Sequence, residues 1–186
     1  MNTKRLFDAV THQLENFPKN DMLAAKENGK WKTYSTKQVA DTVNQLSAGL
    51  VSLGVKANDF TPESSDKIAI ISNNRPEWVF TDLAVQQVGG ILVPVYPTTN
   101  PNELAFILND AAVKFIFVSS EDLLLKVQSI IDKVPSIQGI YTFDTIAGAK
   151  HWTEVTALAT DALLEEVEAI KQSVPAEQLA TIIYTS

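Results

Sequence analysis

Cysteine is absent from the 186 residues. That excludes disulfides, thiol nucleophiles and any Cys-based metal centre, and it fits a reducing compartment. Histidine is scarce too: His12 and His151 lie far apart, and neither has a metal-ligand partner at helical spacing, so both read as surface or structural side chains. None of the short catalytic or phosphate-binding patterns GxxxxGK[ST], GxSxG or HExxH occurs. Gly89-Gly90 precedes an apolar run rather than a helix. It reads as a tight turn into a strand, whereas a dinucleotide fingerprint needs the strand first. Positive charge is in deficit, with 15 Lys and Arg against 22 Asp and Glu for a net charge of −7. This excludes a dominant nucleic-acid role and favours solubility. No apolar run approaches the roughly 18 residues of a membrane-spanning helix. The opening MNTKRLFDAVTHQLENF is interrupted by Asp8, His12 and Glu15, unlike a signal peptide. A soluble, cytoplasmic chain is expected.

Apolar residues make up 45% of the chain and charged residues 20%, ordinary values for a globular domain. A self-contained chain of this length buries about 70% of its unfolded surface. Leu6, Val10, Leu14 and Phe17 fall on one helical face, so the spacing predicts a helix over 4–17, closed by Pro18. Runs at 22–26 and 31–34 flank Asn28-Gly29, a dipeptide suited to a tight hairpin turn. Ser35 and Gln38 have capping-box spacing. The stripe Val39, Val43, Leu46, Leu50 and Leu53 predicts a helix that Gly54 ends. Residues 56–66 are polar and read as an exposed loop.

From Lys67 onward short apolar runs alternate with helical patterns. The runs are KIAIIS, ILVPV, KFIFVS, QGIYTF and TIIYTS, beginning at residues 67, 91, 114, 138 and 181. Being mostly continuous, they predict strands covered on both faces, as in a parallel sheet. Pro76 suits a first helical position after Asn73-Asn74-Arg75, and the segment to Val88 is apolar on most sides. Asn100-Pro101 opens a helix with Leu104, Ile107, Leu108 and Ala111 inward. Ser119 or Ser120 caps a third, with Leu123, Val127, Ile130 and Val134 aligned. A fourth spans about 161–172, with Leu163, Val167 and Ile170 inward and Glu165, Glu166 and Glu168 solvated. The tryptophans at 31, 78 and 152 read as packing residues. The expected fold is α/β: a largely parallel, doubly wound sheet with flanking helices, preceded by an N-terminal helix and hairpin. Residues 1–66 form the lead-in and 67–186 the sheet.

In such sheets ligands sit beyond the carboxyl ends of the strands. Those ends are Ser72-Asn73-Asn74, Val95 to Thr98, Ser119-Ser120, Phe143-Asp144 and Thr185-Ser186. Thr185 and Ser186 are the candidate cofactor-binding residues, since hydroxyls and N–H groups leaving a strand can hydrogen-bond phosphate oxygens. They cannot neutralise a triphosphate alone, which needs a lysine or a magnesium ion. The residues leave a second reading open, a non-enzymatic α/β binding module with acidic helices as an interaction face.

Four stretches, in order, resemble the acyl-adenylate-forming (AMP-binding) enzymes, and within them the long-chain fatty acid–CoA ligases. They are Trp31 to Phe60, IAIISNNRPEW (Ile68 to Trp78), Val88 to Val118, and EQLATIIYTS (Glu177 to Ser186), which resembles the approach to that family's phosphate loop. The chain departs from the pattern in FTPESSDK, which is longer than the usual step into the strand. The resemblance implies that residues 1–186 are the N-terminal part of an AMP-binding domain, ending at the start of the phosphate loop and itself inactive. The parent enzyme would use ATP and Mg²⁺ to convert a long-chain fatty acid to an acyl-adenylate, and coenzyme A to displace AMP as the thioester. No cofactor is expected to bind the fragment tightly, nor nucleic acid to be a partner. Peripheral membrane contact and self-association of the fragment are left open. Thr185 and Ser186 match the phosphate-binding motif and would hold the β- and γ-phosphates. Tyr184 would pack beneath the loop. In SNNRPEW, Asn74 and Arg75 read as braces between neighbouring loops rather than ligand contacts. Another carboxylate-adenylating enzyme is the alternative within the family.

Overall fold

A computed structural model describes residues 4–27 and 29–185. Helix α1 (Asp8–Asn16) leads into an antiparallel hairpin, β1 (Leu23–Glu27) and β2 (Lys30–Tyr34), closed by the pair Glu27–Lys30. Asn28 of the expected turn lies outside the described residues. Helix α2 (Thr36–Ser52) follows. The chain then alternates β3 (Lys67–Ile71), α3 (Pro76–Gln87), β4 (Ile91–Val95), α4 (Pro101–Asp110), β5 (Val113–Val118), α5 (Glu121–Gln128) and β6 (Gly139–Thr142). Short α6 (Trp152–Thr156) and α7 (Asp161–Ser173) complete it.

Strands β3 to β6 form a parallel sheet in the order β4-β3-β5-β6. Alternate residues of each strand enter opposite cores, as the two-residue period of a strand requires. Ile68, Ile70, Leu92, Phe115 and Phe117 pack with α2, α3 and Val155 of α6 on one face. Ala69, Ile71, Val93, Ile116 and Val118 pack with α4 and α5 on the other. Both faces are covered, so continuous apolar runs become strands without exposed stripes.

Local signals explain the helix ends. The Ser35 Oγ accepts from the Gln38 N–H at 3.2 Å and the Gln38 Oε1 accepts from the Ser35 N–H at 2.8 Å, the reciprocal capping box. Gly54 ends α2 at φ 80°. Pro76 starts α3, and the Asn100 side chain caps α4 by accepting from the N–H groups of Asn102 and Glu103. Gly89 turns α3 into β4 at φ 70°, where an added Cβ would meet the Phe60 ring at 2.7 Å.

Several expectations need correction. The first helix begins at Asp8, not residue 4. Leu6 is therefore 64% exposed, and Phe7 enters the core in its place. Phe17, past the helix, is 57% exposed. Trp31 is not a packing residue: it stands 68% exposed on β2, with the Lys26 Nζ 5.4 Å from its ring centroid. The polar segment 56–66 is not simply an exposed loop. Ala57 and Ser65 form an antiparallel bridge, Ser65 is buried, and Asp66 accepts from the Lys114 Nζ at 2.9 Å. Ser120 is the N-cap of α5, but its hydroxyl turns to Asp122 rather than to the helix N–H groups.

The largest correction concerns TIIYTS. It makes one parallel bridge, Thr181 to Leu92, rather than a buried strand, and Ile183 is 60% exposed. The cause lies on β4. The Leu92 N–H donates to the Ala180 carbonyl and the Leu92 carbonyl accepts from the Ile182 N–H, so even-numbered residues of β4 face this edge. The next is Pro94, which has no N–H to give. The ladder ends there.

Candidate active-site region

Strand order reverses between β3 and β5: β3 leads outward to β4, while β5 returns to its other side. In open α/β sheets this switch point opens a crevice beyond the carboxyl ends of the strands. A cleft of about 1210 Å³ lies there, lined by Asn73, Asn74 and Arg75 after β3, Ser119 and Ser120 after β5, and Asp144 after β6, and walled by the hairpin.

Arg75 crosses the mouth of the crevice. Its Nε and Nη2 donate to the two Glu77 carboxylate oxygens at 2.8 and 3.2 Å. Its Nη1 donates to Asp144 Oδ1 at 2.8 Å and lies 3.5 Å from the Ser119 carbonyl. The guanidinium also sits 5.4 Å from the centroid of the Phe143 ring. One planar donor thereby ties the ends of β3, β5 and β6 together, with two carboxylates balancing its charge. Such a group braces loops. It is not a free anion receptor, because an incoming phosphate would have to displace Glu77 or Asp144. Asn74 is exposed, and none of the described hydrogen bonds uses its side chain, so the brace belongs to Arg75.

His151 is structural. Its Nε2–H donates to the Phe143 carbonyl at 2.9 Å, which leaves Nδ1 to accept from Thr153. With Glu154 it forms a capping box that starts α6. Among the described residues no group of three His, Cys, Asp or Glu could hold a metal ion, and no helix is long and apolar enough to cross a membrane.

Of the two candidate phosphate-binding residues, only Thr185 falls among the described residues; Ser186 lies outside them. Thr185 is exposed and does not line this cleft. The segment before Thr185 leaves β4 after Ile182. There the Thr181 Oγ1 donates to the Leu92 carbonyl at 3.0 Å. Ile182 and Tyr184 pack against the α4–α5 core, and the Tyr184 hydroxyl donates to Asp110 Oδ2 at 2.6 Å. Burial, then this hydrogen bond, pushes the Tyr184 phenol up to about 12. The phenol therefore remains a donor throughout the neutral range. The sequence marks Tyr184 as packing beneath the loop and Asp144 as a strand end, but neither the Asp110 partner of Tyr184 nor the pairing of Asp144 with Arg75 is marked in it. The paired residues are 74 and 69 residues apart, so no local spacing marks them. Pro94 was the one local sign that the edge ladder would stop.

A sheet of this order with its ligand crevice at a switch point defines a class of α/β proteins that take ligands at strand ends. Residues 10–186 match the family described as AMP-binding enzyme, and the chain belongs to that family. A long-chain-fatty-acid–CoA ligase of Mycobacterium bovis is 28% identical over 165 residues, spanning 86% of this chain and 25% of that protein. A long-chain-fatty-acid–CoA ligase of Mus musculus is 25% identical over 192 residues, spanning 100% of this chain and 27% of that protein. Among solved structures, a long-chain-fatty-acid–CoA ligase from Archaeoglobus fulgidus superposes with a TM-score of 0.75 at 20% identity. The match covers 97% of this chain and 33% of that one, a likeness of fold. The chain thus spans about a quarter of the length of the curated relatives it matches.

Proposed function

We propose that this chain is the N-terminal portion of an ATP-dependent long-chain fatty acid–CoA ligase. In this reading the complete protein joins a fatty acid carboxylate to the α-phosphate of ATP, releasing pyrophosphate, and coenzyme A then displaces AMP to give the thioester. The observation that carries the reading is the family match over residues 10–186, together with relatives named for this activity over nearly the whole chain. Thr185 and Ser186 are the residues of this chain assigned to the phosphates. Their hydroxyls and N–H groups supply hydrogen bonds to phosphate oxygens. Magnesium would be held largely by the phosphates of ATP, and the described residues bring no group of three His, Cys, Asp or Glu together to hold it.

The fragment by itself is read as inactive and as a poor ATP binder, because two hydroxyl residues cannot offset the cost of ordering a triphosphate. Exposed apolar side chains support the same division of labour. Phe106 on α4, Leu125 on α5 and Ile183 are each about 60% exposed, suited to cover by the remainder of the protein. The test is product formation by the complete protein with ATP, coenzyme A and fatty acids of graded length, read by mass spectrometry. Long-chain acyl-CoA is expected from the complete protein and none from residues 1–186. A complete protein that makes no thioester from any fatty acid would refute the reading.

A further inference from the structure

We propose that Asp110 and Tyr184 are a positioning pair that fixes the segment carrying Thr185 against α4, and so sets the affinity of the phosphate-binding residues for ATP. The inference rests on the proposed function for its ligand and on three structural observations for its mechanism.

Pro94 removes the ladder bond that would otherwise fix the backbone beyond Ile182, and Ile183 is exposed. The segment before Thr185 is therefore held by side chains. Of these Tyr184 makes the directional contact, a 2.6 Å hydrogen bond to Asp110 Oδ2, with a charged acceptor that makes it stronger than a neutral pair. Asp110 is also an anomaly where it stands. It is the last residue of α4, and α4 has no basic residue in its last turn. A carboxylate there faces the negative end of the helix and costs stability. An acid kept at an unfavourable place, and spent on the one tyrosine that precedes the candidate phosphate contacts, is explained by that tyrosine.

The experiment compares Tyr184→Phe, Asp110→Ala and Asp110→Asn in the complete protein. Loss of one such hydrogen bond corresponds to about a 3- to 10-fold effect. Tyr184→Phe and Asp110→Ala are expected to raise KM for ATP by that factor, with KM for fatty acid and for coenzyme A unchanged. Asp110→Asn keeps an acceptor and recovers part of the loss. The double variant Tyr184→Phe with Asp110→Ala is no worse than either single change, since both remove the same bond. Asp110→Ala should not lower Tm, because it also removes the misplaced acid. Hydrogen exchange gives a readout free of activity: amides of residues 183–185 exchange faster in Tyr184→Phe, while those of β3 and β5 do not change. An unchanged KM for ATP with unchanged exchange at 183–185 overturns the inference. A complete protein with no ATP-dependent activity refutes the proposed function instead, and the exchange measurement then still decides whether the pair positions the segment.

Discussion

At the scale of single residues, the side chains that organise this chain act through short polar contacts whose partners are distant in sequence or turned back on their own loop. Arg75 reaches Asp144 across three strand ends, and the charge balance of that brace argues for structure over ligand binding. Asp59 is the local counterpart. Its carboxylate accepts from the Ser64 hydroxyl, the Thr61 N–H at 3.0 Å and the Thr61 hydroxyl at 2.8 Å. These bonds, led by the one from Ser64, hold its pKa down from 3.8 to about 2. The sign follows from linkage. A carboxylate that binds its proton less readily when folded adds stability above its ordinary pKa, and that contribution is lost as pH falls from 3.8 through about 2. The carboxylate is exposed, so the consequence is local: the turn at 59–64 loosens at acid pH before the sheet does. A carbon-detected NMR titration should show Asp59 titrating near 2 and moving toward the ordinary value in Ser64→Ala. A midpoint already at 3.8 in the unmodified chain would contradict the assignment.

At the scale of elements, what could be read from the sequence follows from how local each determinant is. Helix α2 was legible from end to end because its cap, its apolar stripe and its closing glycine all lie within the helix or beside it. Strands β3 to β6 were legible as apolar runs because both sheet faces are buried. Helix α6 was not read, being five residues long and started by a histidine cap that binds back to Phe143. The fifth run has the pattern of a strand but pairs only at Thr181, because its pairing is decided on β4, by Pro94. The candidate site divides in the same way. Thr185 could be named from its place after an apolar run, whereas the Tyr184–Asp110 contact depends on how α4 packs. The end of α4 also holds a residue whose conformation its identity does not suggest. Ala112 adopts φ 50°, a left-handed conformation that costs an L-residue about 1–2 kcal/mol and that glycine fills with less strain at a helix end. Ala112→Gly is therefore expected to stabilise the fold by about 0.5–1 kcal/mol after the entropy of the unfolded glycine is subtracted, as read by chemical denaturation. Destabilisation would show that the Ala112 methyl does more than the geometry indicates.

At the scale of the whole molecule, the sheet, its two cores and the family match span about a quarter of the length of the curated relatives. The cleft at the switch point is braced by Arg75, and Thr185 lies outside it, past an edge that Pro94 leaves open. In the proposed function these features are a scaffold: they carry a phosphate-binding segment and await the groups that complete it. The most direct test is pyrophosphate exchange into ATP by the complete protein, because that exchange isolates the adenylation step from thioester formation. The account predicts exchange that depends on a long-chain fatty acid and is absent from residues 1–186 alone. Its contradiction would be a complete, folded protein that exchanges no pyrophosphate with any carboxylic acid offered.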